Sequence, residues 1–149
     1  AAPIAMANLV FKEYWGRARP RSVEAFGGDR QFTSPLEFTD QCLRNCSFVS
    51  GEASGIVATA LVLSLVVAPA MTRGKTVFLG IVWVLAAWIA GLRIAMGGHF
   101  LSDVLFGALF TALIACLLFR VFRLYETPAT VTPGNVAKDM RDLFRRRRS

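Results

Sequence analysis

Arg93, His99 and Asp103 lie within one short stretch, 91–103, between two long apolar segments, and His99 is the only histidine in the chain. An ionisable side chain at membrane depth costs at least ~2.5–3.5 kcal/mol on insertion scales, so such a group marks a functional site by default. His99 and Asp103 are one helical turn apart and would share a face if both lie on a helix. A carboxylate there can accept from one ring nitrogen, fix the imidazole tautomer, and leave the other nitrogen free as base, ligand or nucleophile. A helix N-terminus at this point would also disfavour the imidazolium form. Taken alone, the same spacing fits a histidine merely hydrogen-bonded at an interfacial helix cap.

The polar segment 12–50 adds Lys12, Arg17, Arg19, Arg21 and Arg44 to Arg93. Several guanidiniums converging where a helix begins make an anion site, because arginine forks match phosphate oxygens and free backbone N–H groups face the ligand. Ser50-Gly51-Glu52 opens an apolar run in the same way: Ser50 can cap a helix, and Gly51 lets a phosphate approach the backbone. A basic loop beside a membrane also suits lipid headgroups.

The elements that must position these residues are apolar helices. The chain has 149 residues, 54% of them hydrophobic, and a mean hydropathy of +0.49, which marks a membrane protein. The net charge of +7 is not accompanied by any nucleic-acid reader motif, so no nucleic acid is expected as partner. Much of the excess charge is terminal, in Arg145–Arg148, which reads as a cytoplasmic anchor facing anionic lipid.

Spans are expected at about 51–72, 76–96 and 100–123, giving an all-α polytopic transmembrane bundle. The opening 1–11 is too short to cross and reads as the end of a truncated helix, so the chain is expected to be the C-terminal part of a longer protein, with a membrane core over 1–123 and a basic tail over 124–149. Val136, Met140, Leu143 and Phe144 in that tail have the spacing of a short amphipathic helix on the inner leaflet. A solvated, disordered end fits them equally. Arg73-Gly74-Lys75 between the first two spans, and Arg120 and Arg123 after the third, belong in the cytoplasm by the positive-inside rule. Three crossings then bring the 12–50 loop and the 93–103 turn together on the outer face.

Lys12-x6-Arg19-Pro20, then Ser50-Gly51, then Arg93-x5-His99-x3-Asp103, in that order, resemble the three-part motif of the type 2 phosphatidic acid phosphatase (PAP2) superfamily. The resemblance covers residues 12 to 103 and implies the C-terminal part of a six-span fold. It implies that Lys12, Arg19 and Arg93 hold phosphate oxygens, assisted by the Ser50 hydroxyl and the Gly51 amide. His99 would attack phosphorus to give a phosphohistidine, oriented by Asp103. Fixed cations would supply the charge stabilisation that metal ions supply in kinases, so no metal or other cofactor is expected.

Two positions depart from the family pattern, which usually reads Pro-Ser-Gly-His at the second motif and places Ser before the Arg of the third. Here Glu52 replaces the histidine that protonates the leaving group, and Leu92 replaces the serine. Glu52 could be the general acid if burial raises its pKa, whereas nearby arginines favour its ionised form and a salt bridge to Arg19 or Arg44. The expected activity is metal-independent hydrolysis of a lipid phosphate or diphosphate, of the undecaprenyl diphosphate, lipid A or phosphatidate type, at the outer face of the cell membrane. The alternatives are a lipid phosphotransferase using the same intermediate and a headgroup binder or transporter that has lost the acid. Cys42 and Cys46 could form a local disulfide in an oxidising compartment, but so short a ring gains little by closure, and free thiols are the favoured expectation. With only Cys116 elsewhere, zinc ligation has little support.

Overall fold

A computed structural model describes residues 11–121, so the expectations for the opening segment before Phe11 and for the tail after Val121 lie outside the described residues. The described residues are helical, with no strand beyond an isolated bridge between Val23 and Arg30. Three helices carry the architecture: α1 (Gly51–Val62), α2 (Lys75–Ala95) and α3 (Leu101–Val121).

By length and composition, α2 and α3 can each cross a membrane. Their outward surfaces agree with lipid as solvent. Val77, Ile81, Val84 and Trp88 on α2, and Leu101, Leu105, Leu109, Leu113 and Leu117 on α3, recur at helical spacing and are all exposed. The first expected span, about 51–72, is a continuous run of helical turns of changing type from Gly51 to Ala70. The α-helix stops at Val62, passes through a π turn over Leu63–Val67, and ends in the 3-10 turn Ala68–Ala70. Pro69 explains the ending, because it has no N–H to give to the preceding turn and its ring clashes with a continuing α-helix. In the π turn the Ala68 N–H donates to Leu63 O, and Trp83 of α2 donates to the Ser64 hydroxyl at 3.2 Å.

α1 and α3 pack closely along a strip of small residues. The Ser54 hydroxyl lies 3.0 Å from Ser50 O and 3.2 Å from Gly107 O, and Thr111 Oγ1 donates to Gly107 O at 2.8 Å. A Cβ at Gly107 would sit 2.8 Å from Ser50 O and 3.1 Å from Ser54 Oγ. In Gly107→Ala the helix-propensity gain is about 1 kcal/mol. Pushing backbone against backbone costs about 1–3 kcal/mol, so the helices must part. Gly107→Ala is therefore expected to lower the melting temperature in detergent; an unchanged or higher midpoint would mean that the two helices are not in this contact.

The 12–50 segment folds over the end of the bundle where α2 gives way to α3. Phe48 is its buried centre, stacked on Trp15 at 4.7 Å and edge-on to Phe106 of α3 at 5.5 Å. Phe11 stacks on Phe110 at 5.3 Å, and Trp15 also meets Phe38 at 4.2 Å while donating to Pro35 O. Phe32 lies edge-on to Phe100 at 5.3 Å, and Tyr14 is exposed. At Gly16 the backbone has φ +72 and runs against Thr39, whose carbonyl oxygen would lie 1.5 Å from any Cβ, so only glycine fits. Backbone bonds then dock the segment: the Arg21 N–H donates to Gly97 O and the Ser50 N–H to Asp103 O, each at 3.1 Å.

Candidate active site

Ser50 caps α1, its hydroxyl accepting from the Ala53 N–H at 3.2 Å. Glu52 follows in the first turn, where the helix dipole favours an anion. Its carboxylate is the focus of the site. Oε1 accepts from Arg93 Nη2 at 2.9 Å, Oε2 lies 3.1 Å from His99 Nε2, and Lys12 Nζ stands 3.9 Å from Oε2.

His99 is fully buried, and its other ring nitrogen, Nδ1, lies 2.8 Å from Ser47 O. A backbone carbonyl only accepts, so Nδ1 carries a hydrogen and the lone pair of the neutral ring is on Nε2. One proton serves the contact between Nε2 and Glu52: it sits on the imidazole facing a carboxylate, or on the carboxyl group facing a neutral ring.

Asp103 does not orient His99 directly, which corrects the expectation of a bond between them. α3 begins at Leu101, so His99 precedes the helix and the shared face of two helical residues does not exist. Instead the Asp103 carboxylate turns back to accept from the Phe100 N–H at 2.9 Å, as a residue three places into a helix can do at a cap. Its remaining capacity is taken by the Ser47 hydroxyl and by Arg17 Nη1 in a fully buried ion pair. Arg17 also donates to Thr33 O and to the Ser102 hydroxyl, each at 2.9 Å, and lies over the Phe100 ring at 4.3 Å. Burial lowers the pKa of this guanidinium and Asp103 opposes that shift.

Lys12, Arg19 and Arg93 lie close enough to act on one another's charge. Burial pushes the Lys12 ammonium below its ordinary range, Glu52 pulls it back up, and the positive charges of Arg19 and Arg93 push it down again. Arg19 is lowered too, by burial first and then by Arg21, with Glu52 opposing. Arg93 Nε is buried with no hydrogen-bond partner among the described residues, an orphan donor of the kind a ligand oxygen satisfies. Gly51 and Ser50 are both buried at the start of α1, next to Glu52 in the chain. The expected pairing of Glu52 with Arg19 or Arg44 is also corrected. Arg44 lies 3.8 Å from Glu13, and Arg19 is held by Asn45, through Nη2 to both the carbonyl and Oδ1 at 2.9 Å and through Nε to the carbonyl at 3.2 Å.

Asn45 escapes a reading of the sequence because nothing in its type announces it. Its φ of +53 turns both its oxygens toward Arg19, and it sits inside a Cys42–Cys46 disulfide, which corrects the expectation of free thiols. The bridge closes because the chain reverses there, bringing the two Cα atoms to 5.6 Å. Opening it is expected to loosen the grip on Arg19. In a Cys42→Ala/Cys46→Ala variant KM should rise about 3-fold to 10-fold with kcat nearly unchanged, a partial loss of charged hydrogen bonds worth ~1.5–3 kcal/mol. A fall in kcat at constant KM would show that the bridge serves something other than Arg19. Arg17 is visible in the sequence only as one more loop cation; its burial against Asp103 depends on the fold.

The PAP2 superfamily model matches residues 2–125. Among curated relatives the chain is 41% identical over 124 residues to a lipid A 4'-phosphatase of Francisella tularensis subsp. novicida (strain U112), covering 79% of this chain and 54% of that one. It is 36% identical over 118 residues to the lipid A 4'-phosphatases of Rhizobium leguminosarum and Rhizobium etli, covering 76% of this chain and 49% and 44% of theirs. The chain thus spans about half the length of the curated relatives it matches. No solved structure matches it. With residues 2–125 of 149 matched by the family model, the chain belongs to the PAP2 superfamily.

Proposed function

We propose that this protein is a membrane phosphatase that removes a phosphate monoester from a lipid A type glycolipid, using His99 as nucleophile. The observation that carries this is the contact of His99 Nε2, whose lone pair is free when the shared proton sits on Glu52, with a carboxyl group that Arg93 and Lys12 also flank. The relatives' names favour lipid A over the other lipid phosphates that the same pocket would accept.

In this mechanism the substrate phosphate takes the place of the Glu52 carboxylate among Lys12, Arg19 and Arg93, and the orphan Arg93 Nε finds an oxygen. The reactive arrangement is the one in which the shared proton resides on Glu52 and Nε2 is free. Nε2 then attacks phosphorus and the bond to the sugar oxygen breaks. The leaving oxygen takes the proton from Glu52. In the second half a water gives a proton to the Glu52 carboxylate and attacks the phosphohistidine, and inorganic phosphate leaves with His99 restored. Asp103 is a positioning residue in this scheme. Ser50 and Gly51 hold the start of α1 so that Glu52 reaches the histidine.

The apolar outer faces of α2 and α3 support a membrane setting. The basic residues Arg73, Lys75 and Arg120, at the far end from the site, support an active site at the outer face and a cytoplasmic tail. The test is phosphate release by the purified chain in detergent from lipid A, undecaprenyl diphosphate and phosphatidate. Release from lipid A, fastest of the three, is expected. Binding of lipid A with no release from any substrate would make the protein a headgroup binder.

A further inference from the structure

We infer that Arg17, Ser47 and Asp103 form one positioning unit for His99, in which the Asp103 carboxylate governs the imidazole through Ser47 and not by touching it. This rests on the reading of His99 as nucleophile. Four side chains are involved, Arg17 at 1% exposure and Ser47, His99 and Asp103 at 0%.

Ser47 is bonded at every polar atom it has. Its N–H donates to Arg17 O at 2.9 Å, its hydroxyl donates to Asp103 Oδ2, and its carbonyl accepts from His99 Nδ1 at 2.8 Å. Arg17 closes the ring, because its guanidinium pairs with the other oxygen of Asp103. The direction of the Ser47 carbonyl is therefore set at two points, by the Arg17 backbone and by the Asp103 carboxylate. That direction decides which ring nitrogen keeps its hydrogen and hence which one holds the lone pair.

The placement of Arg17 distinguishes it from the other cations. Lys12 and Arg93 touch Glu52, and Arg19 feels its charge, whereas Arg17 faces away into the loop and the start of α3. A buried ion pair is weak evidence of stabilisation, since hydrophobic replacement of both partners often costs nothing. The role of this pair is geometric, because it joins the 12–50 segment to α3 through the residue that holds the histidine.

The experiment uses Ser47→Ala, which leaves the backbone carbonyl and N–H in place and introduces no bulk. Because the chain has one histidine, nitrogen NMR of the histidine-labelled protein in detergent reads the His99 tautomer directly. The wild type should hold hydrogen on Nδ1. In Ser47→Ala and in Asp103→Asn the ring should become a mixture of tautomers. For both variants kcat should fall about 10-fold to 100-fold, with KM within about twofold. The double variant should be no slower than the slower single one, since the two act as a unit, and Ser47→Thr, which keeps the hydroxyl, should restore tautomer and rate.

Ser47→Ala with the wild-type tautomer and kcat, beside an Asp103→Asn that loses both, would overturn the inference in favour of a direct contact between Asp103 and the ring. Independent, multiplying losses in the double variant would overturn it as well. The nucleophile reading fails separately: full turnover in His99→Ala would sink it even where Ser47→Ala shifts the tautomer.

Discussion

His99→Ala should release phosphate from lipid A at least about 10⁴-fold more slowly than the wild type, the scale on which removing a nucleophile that works with a partner acts. The loss should fall on kcat. Lys12, Arg19 and Arg93 remain and still attract the phosphate, so inorganic phosphate should continue to bind the variant. His99 is also buried and bonded to Ser47 and Glu52, so its removal leaves a polar cavity costing about 1–3 kcal/mol of stability. A melting curve in detergent separates that cost from the chemical one, and His99→Asn, whose amide can keep the bond to Ser47 O, checks it again. Malachite-green detection measures the rate. A His99→Ala protein that folds and turns over within about tenfold of wild type would remove the histidine from the chemistry.

The second large effect concerns Glu52, the proton donor to the leaving group in the proposed chemistry. Glutamine there keeps the shape and an acceptor but cannot hand over a proton. With lipid A, whose leaving group is an alkoxide of high basicity, Glu52→Gln should lower kcat by about 10²-fold to 10³-fold, within the range for a general acid. With p-nitrophenyl phosphate, whose leaving group departs without protonation, the loss should be less than about tenfold. Glu52 also competes with the substrate for Arg93 and Lys12 in the resting site, so inorganic phosphate should inhibit the glutamine variant at lower concentration than the wild type. Equal slowing of both substrates with unchanged inhibition would make Glu52 a structural salt-bridge partner and nothing more.

Much of the site is legible in the sequence because its cost is legible. Arg93, His99, Asp103 and Lys12 are ionisable groups beside apolar runs, and such groups have few uses there other than function. Helices α2 and α3 are legible for the same reason, as uncharged stretches of membrane length. The hydrogen bonds among the site residues are not. The spacing of His99 and Asp103 fits a shared helical face, but the helix begins two residues after His99, and a carboxylate at that position satisfies its own helix cap before it can serve a neighbour. The change from α to π and 3-10 geometry after α1 comes just before one proline in an otherwise apolar run. Asn45 and Ser47 are ordinary polar loop residues whose importance arises when a disulfide and a buried arginine fix the backbone around them.

Everything in the proposed chemistry turns on phosphate passing through a covalent bond to His99. Incubating the protein with lipid A labelled in its phosphate, quenching within a turnover and digesting the chain tests that step most directly. The expected result is label on the peptide containing residue 99, stable in base, lost in acid, and absent from His99→Ala. Phosphate release by the wild type at full rate with no acid-labile label on that peptide, under conditions that trap the adduct in a known phosphohistidine enzyme, would contradict it.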